Sequence, residues 1–125
     1  MARGLTLDTG ALIALEARRQ RIRLRLKLAN EERRPITVPA AVVAEWWRGR
    51  NDMRDEILAA VRVEPLTTLL AKIAGEALVA VRGSSAIDAI VMASAAQRGD
   101  IVYTSDPDDL EKLAVHFPTV RVLRA

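Results

Sequence analysis

The chain of 125 residues has no cysteine, a single histidine and few aromatic residues (two Trp, one Tyr and one Phe). The absence of cysteine excludes disulfides and zinc–thiolate sites, and it suits a reducing compartment. So few aromatic side chains cannot form a platform on which single-stranded bases stack. Because His116 is the only histidine and lies late in a predicted helix, no Ser–His or Cys–His pair is indicated for nucleophilic catalysis.

Long apolar runs and glycine-rich phosphate loops are also missing. No apolar run is long enough to span a membrane. The first fifteen residues carry Asp8 inside their apolar run and lack a clear cleavage site, so we expect no signal peptide. Neither a Walker pattern nor G-x-G-x-x-G occurs. These absences favour a cytoplasmic protein that does not bind nucleotides through such a loop.

Charge is concentrated in one part of the chain. Half of the residues are hydrophobic and 28% are charged, which predicts one packed domain over residues 1–125. The net charge is only +3, but eight of the 19 basic residues lie between positions 18 and 34. This stretch is either a solvated helix face or a surface that attracts phosphate groups. Its members are Arg18, Arg19, Arg21, Arg23, Arg25, Lys27, Arg33 and Arg34.

Short apolar runs alternate with helix-forming segments, which predicts an α/β fold with a central parallel sheet flanked by helices. Strands are predicted at residues 3–8, 36–38, 62–66, 101–104 and 120–123. Helices are predicted from Thr9, at 40–48, 52–61, from 67 or 68 to about 82, at 86–98, and from the 105–109 turn to about 116. Residues 21–28 alternate strictly, as a strand does, but the lack of Gly and Pro between Gly10 and Pro35 favours a helix there.

A helix over residues 21–28 would be apolar on two sides. Ile22 and Leu26 share one face, whereas Leu24 and Leu28 point nearly the opposite way. Since a helix of this kind needs a second partner, Leu24 and Leu28 indicate a protein interface.

Three aspartates occupy suggestive places, and two of them are predicted at the edge where parallel sheets carry chemistry. Asp8 and Asp106 each follow a predicted strand, so both are expected at the carboxyl edge of the sheet, where open α/β sheets bind ligands. Asp88 lies in the first turn of the helix at 86–98. Each of the three also fits a helix cap, alone or in a capping box, so capping and ligand binding both stay open.

Glu45 is the acidic residue that capping does not explain. In the middle of the predicted helix at 40–48 it has no free backbone N–H to bind, and its neighbours are apolar. A charge in such surroundings needs either a salt bridge, for example to Arg48 or Arg50, or a metal ion.

Carboxylates that converge on one site repel each other, and a divalent cation removes that repulsion. An all-oxygen set of ligands suits Mg²⁺ or Mn²⁺. Such a cation can polarise a phosphodiester and activate a water, and two cations can stabilise both the attacking and the leaving oxygen. The cluster therefore favours metal-dependent phosphodiester chemistry.

Four segments in this order resemble a known family. They read LDTGALIAL (residues 7–15), VPAAVVAEWWRG (38–49), GSSAIDA (83–89) and TSDPDDL (104–110). With these segments the chain resembles a PIN-domain ribonuclease of the VapC toxin type, from bacterial type II toxin–antitoxin pairs. Asp-Thr-Gly alone is a weak signal, but the four segments together are specific and cover nearly the whole chain.

The resemblance implies a compact parallel α/β sheet and a Mg²⁺- or Mn²⁺-dependent endoribonuclease. The family's acidic positions correspond to Asp8, Glu45, Asp88 and Asp106. By the resemblance, Asp8 and Asp88 are the surest metal ligands, Glu45 holds metal or positions water, and Asp106 completes the site. Asp109 also falls on a recurring acidic position, so Asp106 and Asp109 both remain candidates for the fourth ligand.

One position departs from the family pattern. Some members carry an acidic residue three positions before Asp88, where this chain has Ser85. This departure slightly weakens the negative cluster. Thr104 and Ser105 could supply hydroxyl groups near the site.

The resemblance also implies partners. They are a second copy of the chain in a homodimer and a VapB-type antitoxin, whose C-terminal segment wraps the toxin and can block the acidic site. Leu24, Leu28, Trp46 and Trp47 are candidates for such contacts, with core packing of one Trp as the alternative. A PIN-type nuclease outside toxin–antitoxin systems and a non-catalytic α/β binding module are the competing functions. The RNA target stays open.

Overall fold

A five-stranded, all-parallel sheet forms the centre of the computed structural model, which describes residues 3–125. The strands are β1 (Leu5–Leu7), β2 (Ile36–Pro39), β3 (Arg62–Glu64), β4 (Ile101–Thr104) and β5 (Arg121–Arg124). Their order across the sheet is β3-β2-β1-β4-β5. In the central strand, Leu5 is in register with Ile36 on one side and Ile101 on the other. The predicted α/β fold with a parallel sheet is confirmed.

Seven helices are found between residues 3 and 125. They are α1 (Thr9–Glu16), α2 (Gln20–Glu31), α3 (Ala40–Trp46), α4 (Asp52–Ala60), α5 (Thr68–Ala80), α6 (Ala86–Arg98) and α7 (Pro107–Ala114). Helix α6 and strand β4 agree with the prediction residue for residue, and most other ends differ by one or two residues. Within the described residues, none of the helices is both long and apolar enough to cross a membrane.

The segment after Thr9 is the main correction to the predicted elements. It is not one helix, because Arg18 adopts a left-handed conformation with φ of 58° and separates α1 from α2. Residues 21–28 are helical, as predicted. The apolar residues of this segment lie on two faces of the helix. Ile22 is buried on one face, whereas Leu24 and Leu28 are 55% and 52% exposed on the other.

The core forms around β1 and α6. All residues of β1 and β2 are buried, which is typical of a parallel sheet covered on both faces. Helix α6 contributes seven consecutive buried residues, at positions 89–95, and contacts β1, β2 and β4. It ends at Gly99, whose φ of 70° suits a residue without a side chain. One helix therefore joins the carboxyl edge of the sheet to the opposite side of the molecule.

Buried and half-buried polar side chains surround Arg98 at the end of α6, and we call this group the Arg98 cluster (Thr6, Glu64, Ser94, Arg98 and Asp100). The Arg98 guanidinium donates to Asp100, Thr6 and Ser94 at 2.9 Å each, and it also pairs with Glu64. The hydroxyls of Thr6 and Ser94 donate to Asp100 at 2.8 Å and to Glu64 at 2.7 Å, respectively. Both carboxylates are thus compensated by one cation and by hydroxyl donors, as buried charges require.

Candidate metal centre

Asp8 directly follows β1, at the carboxyl edge of the sheet, and is the N-cap of α1. Its carboxylate accepts a hydrogen bond from the backbone N–H of Ala11 at 2.9 Å, so the capping role is confirmed. Burial raises the pKa of Asp8, although hydrogen bonds from Thr104 and Ala11 favour the charged form. The negative charges of Asp88 and Glu45 raise this pKa further. A cap therefore does not exclude a second role, because Asp8 is also close to two other candidate ligands.

Asp88 lies in the first turn of α6, and Ser85 caps that helix. Ser85 Oγ accepts a hydrogen bond from the backbone N–H of Asp88 at 3.1 Å, as the capping box predicts. Burial raises the pKa of Asp88, and the hydrogen bond with Ser85 opposes this effect. The negative charges of Asp109, Glu45 and Asp106 raise the pKa further. Three other acidic side chains thus raise the pKa of the half-buried Asp88.

Glu45 differs from its predicted surroundings. Helix α3 ends at Trp46, so Glu45 lies in the last turn of the helix, and its side chain is exposed. The expectation of a charge in mid-helix among apolar neighbours is wrong, because the helix ends two residues earlier than predicted. The hydroxyl of Thr9, the first residue of α1, donates a hydrogen bond to the Glu45 carboxylate. This contact orients Glu45 towards the turn that carries Asp8.

The salt bridge considered for Glu45 does not form within residues 3–125. Arg48 donates instead to the backbone carbonyls of Ala44 and Trp47, at 3.3 and 2.8 Å. Arg50 pairs with Asp55 at 2.7 Å. Glu45 consequently has a hydroxyl partner and no cationic one among the described residues.

Asp106 follows β4 at the N-cap position of α7, but its side chain makes no capping hydrogen bond, so the capping-box interpretation is wrong here. Its backbone N–H donates to Thr104 Oγ1 at 3.0 Å. The backbone N–H of Asp8 donates to the carbonyl of Tyr103 at 3.3 Å, so the turns after β1 and β4 begin side by side. Asp106 and Asp109 are both exposed, and both raise the pKa of Asp88. The fourth acidic position stays open between them.

The chemistry of these side chains fits a hard divalent cation. All the candidate donors are carboxylate or hydroxyl oxygens, and in residues 3–125 none of the four predicted carboxylates forms an ion pair with Lys or Arg. No three acidic or histidine side chains of the described chain stand close enough together to hold a metal ion directly. Mg²⁺ commonly keeps several water ligands and needs only one or two carboxylates, so bound water would complete the coordination.

Two residues next to Asp8 have roles that the sequence did not identify. Thr9 binds Glu45, as described above. At Gly10 an added Cβ would lie 2.0 Å from Ser105 Oγ, so a side chain there would collide with the turn after β4. The Asp-Thr-Gly segment contains both residues, but a sequence pattern alone indicates only a turn. In the structure, Asp8 caps α1, Thr9 binds Glu45, and Gly10 allows close packing against Ser105.

The candidates for partner contacts divide into two groups. Leu24 and Leu28 are exposed on α2, as expected for an interface. Trp46 is 5% exposed and belongs to the core, and it packs edge-on against the half-buried Trp47 with ring centroids 6.0 Å apart. Trp46 therefore has the core role that was the alternative in the sequence.

The all-parallel sheet with acidic side chains at its carboxyl edge defines a small α/β domain with a candidate metal site, and comparisons with known proteins identify its family. The sequence matches the family described as PIN domain over residues 5–115, so the chain belongs to the PIN-domain family. PIN domains are nucleases. No curated protein matches the chain in sequence.

Solved structures share the fold along nearly their whole length. VapBC2 from Rickettsia felis, bound to a DNA fragment from its promoter, superposes with a TM-score of 0.77 at 12% identity, covering 97% of this chain and 98% of that one. DNA-bound VapBC from Salmonella typhimurium gives a TM-score of 0.75 at 17% identity, with 98% of both chains covered. FitAcB from Neisseria gonorrhoeae gives 0.66 at 20% identity, covering 95% and 96%. At these identities the similarity concerns the fold.

Proposed function

We propose that the chain is the toxin of a type II toxin–antitoxin pair and hydrolyses RNA phosphodiester bonds with the help of Mg²⁺ or Mn²⁺. One observation carries the proposal: Asp8 and Asp88, at the carboxyl edge of the sheet, are withdrawn from water beside other carboxylates, which raises the pKa of both, and no Lys or Arg pairs with them among the described residues. Desolvated acids in a cluster are typical of a functional site.

The proposed roles follow from how each side chain is held. Asp8, oriented by Ala11 and Thr104, and Asp88 hold the metal. Glu45, oriented by the Thr9 hydroxyl, holds metal or positions the attacking water. Asp106 or Asp109 completes the negative site. When bound, the metal supplies the charge that polarises the scissile phosphodiester and activates a water.

A cleavage assay tests this proposal directly. Purified chain is incubated with total RNA in Mg²⁺, in Mn²⁺ and in EDTA, and the new RNA ends are sequenced. We expect defined cleavage sites that require a divalent metal and disappear in Asp8→Asn. Asp108→Asn is the matched control, because this exposed residue lies in the same turn as Asp106 but does not act on Asp8 or Asp88. Cleavage that persists in EDTA, or in Asp8→Asn, would overturn the proposal.

The fourth acidic residue is decided by a pair of substitutions. Asp106→Asn and Asp109→Asn are compared for cleavage and for Mn²⁺ binding by calorimetry. The ligand is the residue whose loss weakens both. Equal and small effects of the two substitutions would instead assign the residues a general electrostatic role.

The proposed partners are a VapB-type antitoxin and a second copy of the chain. Support comes from the VapBC and FitAcB complexes that share the fold, and from exposed Leu24 and Leu28 on α2. An apolar groove of about 150 Å³ beside this helix is lined in part by Leu15, Leu26 and Ile57. Co-expression with a small antitoxin-like reading frame, if one lies upstream of the gene, followed by light scattering, tests both partners. A chain that stays monomeric and does not bind the co-expressed protein would contradict both proposed partners.

A further inference from the structure

A second groove opens at the same edge of the sheet as the acidic residues and has the opposite charge. It has a volume of about 500 Å³ and is lined by Gly10, Ile13, Arg19, Arg21, Ser105 and Arg124, among others. Among residues 3–125, no Asp or Glu side chain lines it. We call it the arginine groove, and it is formed where the beginning of α2 passes the turns after β1 and β4.

The arginine groove begins at the proposed metal centre. Gly10 is two residues from Asp8, and Ser105 directly precedes Asp106. The close approach of Gly10 to Ser105 brings these two turns into contact, so they form a continuous floor between the acidic residues and the groove. A strand whose scissile phosphate lies at Asp8 would reach the groove by crossing these two turns.

The charges of the groove are available for a ligand. Within residues 3–125, Arg19, Arg21 and Arg124 form no ion pair with an acidic side chain, and all three are exposed. Arg124 donates to the backbone carbonyl of Ser105 at 3.3 Å, so its guanidinium extends along the groove towards the metal centre. Guanidinium groups match phosphate oxygens with two parallel hydrogen bonds.

Electrostatics favours such a surface. Carboxylates attract a metal but repel the phosphates of RNA, and a basic surface beside them helps to offset this repulsion. We infer that the arginine groove binds the phosphate backbone of single-stranded RNA next to the scissile bond, with Arg19, Arg21 and Arg124 as the contacts. This inference rests on the proposed ribonuclease function and adds the path of the substrate. Few aromatics are available, so the contacts are to phosphate rather than to stacked bases.

The test measures binding without cleavage. Affinity of the chain for a short fluorescein-labelled oligouridylate is measured by anisotropy in EDTA, over a series of salt concentrations. We expect Arg19→Ala/Arg21→Ala to bind about tenfold more weakly, as for the loss of charge-assisted hydrogen bonds. The slope of log affinity against log salt should become shallower by about 1.4, because about 0.7 is lost per phosphate contact on a single strand.

A matched control removes the same charge from the same helix. Arg23→Ala/Lys27→Ala substitutes two exposed cations of α2 that do not line the groove. We expect its affinity to stay within about threefold of wild type, since salt screens distant exposed charges. Arg19→Lys/Arg21→Lys, which keeps the charge, should keep the salt slope. Thermal unfolding of each variant confirms that it is folded.

Each outcome of the test supports or overturns the groove. Weaker oligouridylate binding by Arg19→Ala/Arg21→Ala alone, together with a raised KM and an unchanged kcat in the cleavage assay, supports RNA binding in the arginine groove. Equal loss in both double variants, or no loss in the groove variant, overturns it. Loss of dimers in the groove variant with RNA binding intact assigns this face to a second copy and also overturns it. Failure of the proposed function has a different signature, because wild type would then bind the oligouridylate but cleave no RNA in any metal.

Discussion

The two ends of α6 treat buried acidic side chains in opposite ways. At its C-terminal end, Arg98 compensates Glu64 and Asp100, and hydroxyl groups satisfy the remaining oxygens. At its N-terminal end, Asp88 faces other carboxylates, and within residues 3–125 no cation pairs with it. The fold thus provides a cationic partner for buried acidic side chains at the end of α6 where only stability is required.

The difference supports the proposal that the N-terminal end of α6 carries the chemistry. Burying a carboxylate without a partner is unfavourable, and raised pKa values at Asp8 and Asp88 record this cost. Such a cost is tolerated at functional sites, where a ligand supplies the missing charge. The Arg98 cluster is complete without a ligand, whereas the acidic edge has no cationic partner within residues 3–125 and would gain one from the proposed metal ion.

Exchanging one carboxylate for an amide at each end gives the sharpest test of this contrast. We expect Asp8→Asn to lower cleavage by at least about 10³-fold, because it removes a proposed metal ligand. The amide oxygen can still cap α1 through Ala11, and the buried charge is gone, so stability to urea should be unchanged or higher. Asp100→Asn should do the reverse, with cleavage retained and stability lowered. A large loss of stability in Asp8→Asn would contradict the contrast.

Removing the cation of the Arg98 cluster is expected to have the largest effect on stability. Arg98→Met leaves Glu64 and Asp100 without their partner, and we expect it to lower the free energy of unfolding by about 3 kcal/mol. The change is measured by urea unfolding at neutral pH. Arg82→Met, at an exposed position, is the control and should change little. A loss below about 1 kcal/mol would mean that water already compensates these acids.

The pH dependence of stability should differ between the two ends. Between the ordinary pKa of about 4 and the raised values of Asp8 and Asp88, the folded state binds more protons than the unfolded state. The free energy of unfolding attributable to these groups therefore falls as pH rises through this window. In EDTA, Asp8→Asn/Asp88→Asn should become increasingly more stable than wild type as pH rises, and the two should converge below the window. A difference that does not change with pH would refute this assignment.

The sequence predicted the fold more completely than the surroundings of each site residue. Strand ends and helix starts are local features, so the positions of Asp8 and Asp106 at one edge followed from alternation and parallel topology. The position of Asp88 relative to that edge did not follow from the sequence, because Asp88 begins a helix instead of ending a strand. The separation of α1 from α2 was missed because the break occurs at Arg18, which adopts a left-handed conformation. Such a break is usually marked in the sequence by Gly or Pro, and neither occurs there. The exposure of Glu45 was missed because α3 ends at Trp46, which is buried in the core.

Contacts between distant positions of the chain were beyond prediction. Thr6 and Asp100 are separated by 94 positions, yet their hydrogen bond helps to fix the Arg98 cluster. A single sequence indicates which residues are polar but not which of them meet. For the same reason, the basic stretch suggested phosphate binding, whereas only the structure brings Arg19 and Arg21 together with Arg124.

The smallest expected effect concerns the hydroxyl groups that orient acids at both ends. Thr9 donates to Glu45 as Thr6 donates to Asp100, but Glu45 is exposed and pairs with no cation in the described part of the chain. Thr9→Val should therefore lower cleavage and Mn²⁺ affinity by about tenfold, as for other residues that orient metal ligands, while changing stability by less than about 1 kcal/mol. Thr9→Ser keeps the donor and should restore both. If serine is as impaired as valine, the methyl group of Thr9 acts through packing. If valine matches wild type, water replaces the hydroxyl, and Glu45 needs no fixed orientation to serve the metal centre.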